Sequence, residues 1–355
     1  MPLPDIPEFR SCITVPKLVH PLVLSGGHPI KISDSISYYS GGFCVVFPYQ
    51  KQSKKYAVRC WYREVSDAKE RSQQIAKALK ESGLPYFVGF DYYEDGIMTT
   101  LGLQPIIVMD WVEAATLKDF IEEHIFDHDI VNEIAENFKR MVSELHQHHF
   151  SHGDLQHENI LVKPDRNLIL VDYDSMYVPA LKGKSDVIKG LDGYQHLSRC
   201  NNKYLSEKAD YFSELIIYIS LKALAKMPEL LKLNKADTLL FSPEDIQSKG
   251  SSNIFQCLKK DSDLKPLVEK LCDFMTKATI DDLLPLEDAV ISLSDEIAGI
   301  WEEGNGYIPV TAEIDDANEI ARLWGQGNGF DANEEEIKSR NKVVKSISEQ
   351  FIKPE

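Results

Sequence analysis

Two short stretches of the chain carry side chains whose types and spacing could do chemistry together. In His152-Gly153-Asp154-Leu155-Gln156-His157-Glu158-Asn159-Ile160-Leu161-Val162 an Asp and an Asn stand five residues apart and run into an apolar segment. Leu170-Val171-Asp172-Tyr173-Asp174 adds a second Asp at the end of another. One carboxylate can orient and deprotonate a hydroxyl, while an amide and a second carboxylate hold a metal on nucleotide phosphates. That set is what phosphoryl transfer requires. Asp154, Asn159 and Asp172 are therefore the candidate catalytic residues, with Asn159 and Asp172 as metal ligands. The plain alternative is a polar loop between two strands with no chemical role, and the flanking elements weigh between the two.

Those flanks are regular. Phe138–Phe150 reads as an amphipathic helix with Phe138, Met141, Val142 and Leu145 at helical spacing. Strands at Ile160–Val162 and Leu168–Val171 bracket a turn at Pro164-Asp165-Arg166-Asn167. Upstream, Ser40-Gly41-Gly42-Phe43 leads into a β-branched strand through Cys44, Val45, Val46 and Phe47. A Gly pair lets backbone amides approach phosphate, though it is also common in a plain hairpin turn. Ser66–Ser82 reads as a helix, with Asp67 and Glu70 at capping-box spacing and Gly83 as its stop. Phe87–Tyr93 and Gln104–Met109 read as strands around an acidic turn. Leu215–Leu224 reads as a buried core helix. Helical patterns continue at Asp237–Leu240, Ile254–Leu258 and Leu264–Met275, with breaks at Pro243 and Pro285.

The order of these elements, together with His-Gly-Asp where protein kinases have His-Arg-Asp and Asp-Tyr-Asp where they have Asp-Phe-Gly, resembles a protein kinase. Ala57-Val58-Arg59-Cys60-Trp61, the loop from His152 to Asn159, the run from Val171 to Leu181 and Tyr194-Gln195-His196 together look like a bacterial group of serine/threonine protein kinase-like proteins. The similarity runs from about Phe43 to Leu224. It implies an α+β, two-lobed protein kinase-like fold: a small antiparallel β N-lobe with one helix, and a mainly α-helical C-lobe. The divisions it implies are a lead-in over 1–35, Pro-rich and irregular, an N-lobe over 36–109, a C-lobe over 110–285 and a C-terminal extension over 286–355.

The resemblance also implies roles. Asp154 would be the base, and Asn159 and Asp172 would hold Mg²⁺ or Mn²⁺ on ATP. Gly41 and Gly42 would line the phosphate loop, Val46 would be a further cofactor-binding residue, and Ala57 and Leu161 would enclose the adenine. Met109, Asp110 and Val112 would form the hinge beside it, although Met109 and Trp111 are also ordinary core residues. Arg59 would reach phosphate from the third strand, where most kinases have Lys; the alternative is a surface residue on that strand. Arg59 and the Asp-Tyr-Asp motif are usual in the group. Asp210 resembles a buried Asp that braces the catalytic loop, and it also reads as a helix N-cap. No helix Glu stands at the expected distance to pair with Arg59. Gly153 replaces the Arg that receives a phosphorylated activation loop, so control by that latch is not expected. Asp174 replaces a flexible Gly, which restricts the backbone and could add a metal-facing carboxylate. The segment from Ser175 to Lys208 contains no Ala-Pro-Glu.

Composition narrows the class. The 355 residues carry 43% hydrophobic and 27% charged side chains, ordinary for a globular protein. A net charge of −17 argues against nucleic acid and anionic membrane as partners, which need Lys and Arg. Six scattered cysteines without a CxxC pair, and no long apolar run, point to a reduced, cytoplasmic chain. Trp301-Glu-Glu-Gly304-Asn-Gly306-Tyr307 recurs as Trp324-Gly-Gln-Gly327-Asn-Gly329-Phe330, a pair of turns that could dock a partner or fold back on the lobe. A charged helix is expected over Asn333–Phe351. Three activities fit: a serine/threonine protein kinase with an unknown protein substrate, a small-molecule kinase of the aminoglycoside or choline type, and a nucleotide-binding pseudokinase scaffold.

Overall fold

The computed structural model describes residues 3–64, 67–233 and 238–290. The two Trp-containing turns and the charged helix expected near the C-terminus lie outside these residues. The chain opens on a helix, α1 (Ile6–Ile13), where an irregular lead-in was expected. Asp5 caps it, accepting from the Glu8 N–H at 2.9 Å, and Pro7 sits in the first turn where its missing N–H costs nothing.

Strands β1 (His28–Pro29), β2 (Lys31–Ile32), β3 (Ser35–Ile36), β4 (Tyr39–Ser40), β5 (Cys44–Lys51) and β6 (Lys54–Trp61) follow, then helix α2 (Ala68–Ser82) and strands β7 (Phe90–Thr99) and β8 (Gly102–Asp110). The main sheet is antiparallel in the order β1-β5-β6-β8-β7, with β4 also paired to β5. Side-chain alternation gives the sheet two faces with different tasks. Val45, Phe47, Tyr49, Val58, Cys60, Ile106 and Val108 close a core with Phe9, Ile13 and Leu24. The register places Cys44, Val46, Ala57, Arg59, Trp61, Ile107 and Met109 on the opposite face.

Helix α2 is shorter than expected at its start. Asp67 is in the left-handed region (φ 60°) and its side chain makes no cap bond, so the anticipated capping box is absent; Gly83 (φ 68°) stops the helix as expected.

The second lobe begins with β9 (Ala115–Thr116), α3 (Leu117–His124) and α4 (His128–Gln147), followed by β10 (Ile160–Val162) and β11 (Leu168–Leu170). Helix α4 starts ten residues before the expected Phe138, because Asp127 caps it through the Ile130 N–H at 3.1 Å. It ends before Phe150, where His149 turns to φ 56°. Strands β9, β10 and β11 form a small antiparallel sheet. Helix α5 (Tyr211–Lys226) runs through the middle of the lobe, buried on nearly every side, with α6 (Pro243–Gln247), α7 (Asn253–Leu258) and α8 (Leu264–Phe274) beyond it. Residues 238–240 are bends, not helix; the buried Leu239 donates its N–H to the Tyr194 hydroxyl at 2.8 Å. At the end of α4, His146 bridges two carboxylates, Glu214 at 2.8 Å and Glu287 at 2.9 Å. Burial opposes charge on His146, but Glu214 and Glu287 outweigh it and push its pKa up to about 10.

The fold class is the expected one, an antiparallel β lobe joined to a helical lobe, but the β lobe carries two packed helices, α1 and α2, where one was expected.

Candidate active site

The catalytic loop is held from beneath by Asp210. This side chain does not cap α5. Its carboxylate accepts from the His152 N–H and, at 2.9 and 3.1 Å, from the Gly153 N–H, so the bracing arrangement is the one observed. Asp210 is 1% exposed, so these backbone donors take the place of water around its carboxyl oxygens. The His152 ring Nε2 lies 2.8 Å from the Val171 carbonyl and links the loop to the second Asp stretch. Gly153 sits at φ 77°, and a Cβ there would lie 2.2 Å from the Ser175 carbonyl oxygen. Glycine at this position thus answers both a left-handed backbone and a backbone-to-backbone approach.

Asp154 and Asn159 meet as the spacing suggested. The Asn159 Nδ2 donates to the Asp154 carbonyl at 2.8 Å, which leaves the amide oxygen as the acceptor end. Val171 donates its N–H to the Asn159 carbonyl at 3.0 Å, so the β10–β11 ladder brings Asn159 and Asp172 to the same end of the hairpin. Asp172 itself is in the left-handed region at φ 66°, a conformation non-glycine residues seldom adopt without a constraint. Tyr173 supplies one. Its hydroxyl donates to the Leu170 carbonyl at 2.7 Å and accepts from the Val88 N–H at 2.9 Å, and its ring stacks on Phe90 with centroids 5.6 Å apart.

The three carboxylates differ in charge preference. Burial pushes Asp154 up to about 6, reinforced by the nearby Asp172 and opposed by His152 and by the Leu191 N–H. Asp172 is also penalised by desolvation, but Arg59 more than offsets this and holds it below the usual carboxylate range. Asp174 is pushed up to about 6, again chiefly by burial, with Arg59 opposing. Asp172 keeps 43% of its side chain exposed, against 14% for Asp174.

The opposite wall is the inner face of the N-lobe sheet. Arg59 lies on it with its side chain 6% exposed, so it is not a surface residue. One nitrogen, Nη2, donates to Asp172 Oδ1 at 2.9 Å and to Asp174 Oδ2 at 2.5 Å, while Nε donates to Cys44 Sγ at 2.9 Å. Val46 pairs with Arg59 across β5–β6, and Ala57 pairs with Met109 across β6–β8. Met109 is half-buried and lines a small cavity with Phe90, Tyr173 and Asp174, on the inner side of the strand. Asp110 points to solvent and pairs with Lys54 at 2.8 Å. Val112 lies half-buried just past β8, and Leu161 half-buried on β10 opposite Thr116. Gly41 and Gly42 sit at the open tip between β4 and β5, with nothing within 4 Å of where a Cβ would stand. The tip has room beside it, but the Gly41 N–H already donates to the Cys44 carbonyl at 3.0 Å and its carbonyl accepts from the Tyr62 hydroxyl.

Helix α2 brings no acid to Arg59. Glu70 is exposed and pairs with Lys184 at 2.7 Å. The inward residue is Arg71, 6% exposed, whose Nη2 donates to the Ser185 carbonyl at 2.9 Å.

Several residues that shape the site carried no sequence signal. Leu191 donates its N–H to Asp154 Oδ1 at 2.9 Å, and the adjacent Gly190 (φ 80°) packs so closely that a Cβ would lie 3.0 Å from that oxygen. Asp186 and Arg199 form a buried ion pair at 3.3 Å, and Arg199 also donates to the Gly153 carbonyl at 3.3 Å. The loop across Asp154 is thereby tied to the catalytic loop without a phosphate. Their contacts are non-local, and neither residue lies in a periodic or motif context.

Asp172 and the Asn159 amide oxygen are hard oxygen donors suited to Mg²⁺, which typically takes one or two protein ligands and completes its shell with phosphate and water. Among the described residues no group of three or more His, Cys, Asp or Glu side chains forms a metal cage. Nor is any described helix long and apolar enough to cross a membrane. Among families of known proteins, residues 40–279 match the protein kinase domain. No curated protein matches the chain.

Proposed function

The chain belongs to the protein kinase domain family, whose members are ATP-dependent phosphotransferases, and from that premise we propose that it is an active serine/threonine protein kinase. The observation that carries this reading is the joint placement of Asp154, Asn159 and Asp172 at one end of the β10–β11 hairpin, with Asp172 still open to solvent. A chain that only scaffolds has no chemical need of all three.

In this reading Asp154 accepts the proton of the substrate hydroxyl and orients it for attack on the γ-phosphate. Burial lifts its pKa to about 6, still ionised at neutral pH yet a better proton acceptor than an ordinary Asp. Asn159, through its amide oxygen, and Asp172, through its carboxylate, would hold Mg²⁺, which when bound would supply positive charge to the phosphate oxygens. Arg59 offers a permanent positive charge to the phosphates. Gly41 and Gly42 lie at the uncrowded tip beside the same groups, Val46 is a further nucleotide contact, and Ala57 and Leu161 enclose the adenine. The hinge from Met109 to Val112 would meet its edge. All six cysteines are unbridged, in keeping with a reduced, cytoplasmic setting.

One observation favours a second reading. Arg59 already rests on Asp172, a cation where a metal would otherwise sit, as in a nucleotide-binding pseudokinase. The test is transfer of labelled γ-phosphate from Mg·ATP or Mn·ATP to the protein and to a generic basic protein, with Asp154→Ala alongside. Label that vanishes in the mutant and maps to Ser or Thr supports the kinase. ATP binding without transfer to any protein, followed by label on a small hydroxyl compound, moves the reading to a small-molecule kinase. Binding without turnover on either supports the pseudokinase.

A further inference from the structure

Strand β6 holds a buried cation, and a buried cation needs an anion in place before any nucleotide arrives. The helix that packs beside it offers none. Glu70 is turned to solvent on Lys184, and the side chain that α2 sends inward, Arg71, is positive. The anion comes instead from the Asp-Tyr-Asp motif. Asp174 Oδ2 stands 2.5 Å from Arg59 Nη2, and Asp174 is 14% exposed, against 43% for Asp172, which shares the same nitrogen. Tyr173, pinned at its hydroxyl by Leu170 and Val88, fixes the backbone that presents both carboxylates.

We infer that Asp174 is the positioning residue for Arg59: it anchors the guanidinium in the cleft and keeps it there when Asp172 turns its carboxylate to a metal. The inference rests on the proposed role of Arg59 as a phosphate contact, and it adds a specific division of labour. Asp172 faces the ligand and Asp174 faces the protein. The two acids of the motif are then not equivalent metal ligands. The anchor of Arg59 also travels with the catalytic hairpin, not with α2, so displacement of the helix would not unhook it.

The experiment is a coupled set of variants: Asp174→Asn, Asp174→Glu, Arg59→Gln, the double variant Arg59→Gln/Asp174→Asn, and Glu70→Gln. For each, affinity for ATP is measured by calorimetry with and without Mg²⁺, alongside thermal unfolding, and KM and kcat where transfer occurs. A charged hydrogen bond of this kind corresponds to about 10–100-fold in affinity. Asp174→Asn is expected to weaken ATP by that factor both with and without Mg²⁺, and to raise KM for ATP. Asp174→Glu should recover part of the loss. The double variant should bind no worse than Arg59→Gln alone, since one contact is removed either way. Glu70→Gln should stay within about twofold of the unaltered protein, as an exposed pair contributes little.

A loss in Asp174→Asn confined to the Mg²⁺ condition would overturn the inference and make Asp174 a metal ligand. Losses that multiply in the double variant, or a Glu70→Gln effect as large as that of Asp174→Asn, would overturn it as well. If Asp174→Asn proves unstable, the comparison of Arg59→Gln with the double variant, which buries no unpaired charge, still decides. Absence of transfer by the unaltered protein would defeat the kinase reading while leaving the ATP-binding cycle intact as the test of this one.

Discussion

Gly153 occupies the position at which many protein kinases carry a phosphate-receiving arginine, and Gly153→Arg would restore that residue type. The structure forecasts a loss of stability, not a gain of control. The backbone is at φ 77°, which costs an L-residue roughly 1–2 kcal/mol. The new Cβ would meet the Ser175 carbonyl oxygen at 2.2 Å and its carbon at 2.9 Å. Neither side can give way cheaply. Gly153 is bonded through its N–H to Asp210, and Ser175 is bracketed by Met176, which donates to the Tyr173 carbonyl at 3.1 Å, and Tyr177, which exchanges backbone bonds with Ser151 at 2.9 and 3.2 Å. Overpacking of this kind costs about 1–3 kcal/mol, so the two terms together reach roughly 2–5 kcal/mol. Against a typical 5–15 kcal/mol of total stability, that lowers the melting temperature by about 3–8 °C. Urea denaturation of Gly153→Arg and Gly153→Ala measures it. Because the clash begins at Cβ, Ala should show most of the effect. An Arg variant within about 0.5 kcal/mol of the unaltered protein, or an Ala variant that is neutral while Arg is not, would refute the reasoning.

Two further outcomes follow from the charged groups. Asp154 must be ionised to accept a proton, and its pKa is lifted to about 6, so kcat should rise as pH increases through about 6 and level off above it; a flat profile between pH 5 and 7 excludes Asp154 as the base. His146 holds its proton in the fold, with a pKa raised to about 10, whereas the unfolded chain releases it near its ordinary 6.5. Its contribution to stability is therefore complete below about pH 6.5 and is lost as pH rises through about 10. His146→Gln removes the cation between Glu214, 3% exposed, and Glu287, and should cost about 3–5 kcal/mol at pH 7 in chemical denaturation. A cost that does not shrink at pH 9.5 and above would show that the imidazole is not the source.

That Asp154, Asn159 and Asp172 come together was legible because all three lie within one loop and hairpin. The sheet was legible from its β-branched runs, and Gly83 marked the end of α2 because glycine supplies the left-handed turn. What escaped were contacts between residues distant in sequence. Arg59 and Asp174 are 115 residues apart, and nothing local to either announces the other. Arg71 read as one more charge on a polar helix, yet it faces inward. Helix α1 was hidden by its prolines, which suggest irregular chain until Asp5 and the first-turn position of Pro7 are considered together. Asp210 could be read as a cap or a brace, and only the direction of its carboxylate separates the two.

Helix α1 has a consequence for how the chain is made. Phe9 and Ile13 lie in a core completed by Ile97, Ile106 and Val108 on β7 and β8, and Glu8 bonds the Thr100 N–H at 2.7 Å in the turn between those strands. Once α1 leaves the ribosome it must therefore wait for roughly a hundred further residues before its apolar stripe has these partners, on the order of 5–20 s at ordinary rates of synthesis. During that interval its apolar residues and the edge of β6 that awaits β8 are exposed together. Birth of this protein, more than its mature state, is where a chaperone would find something to hold.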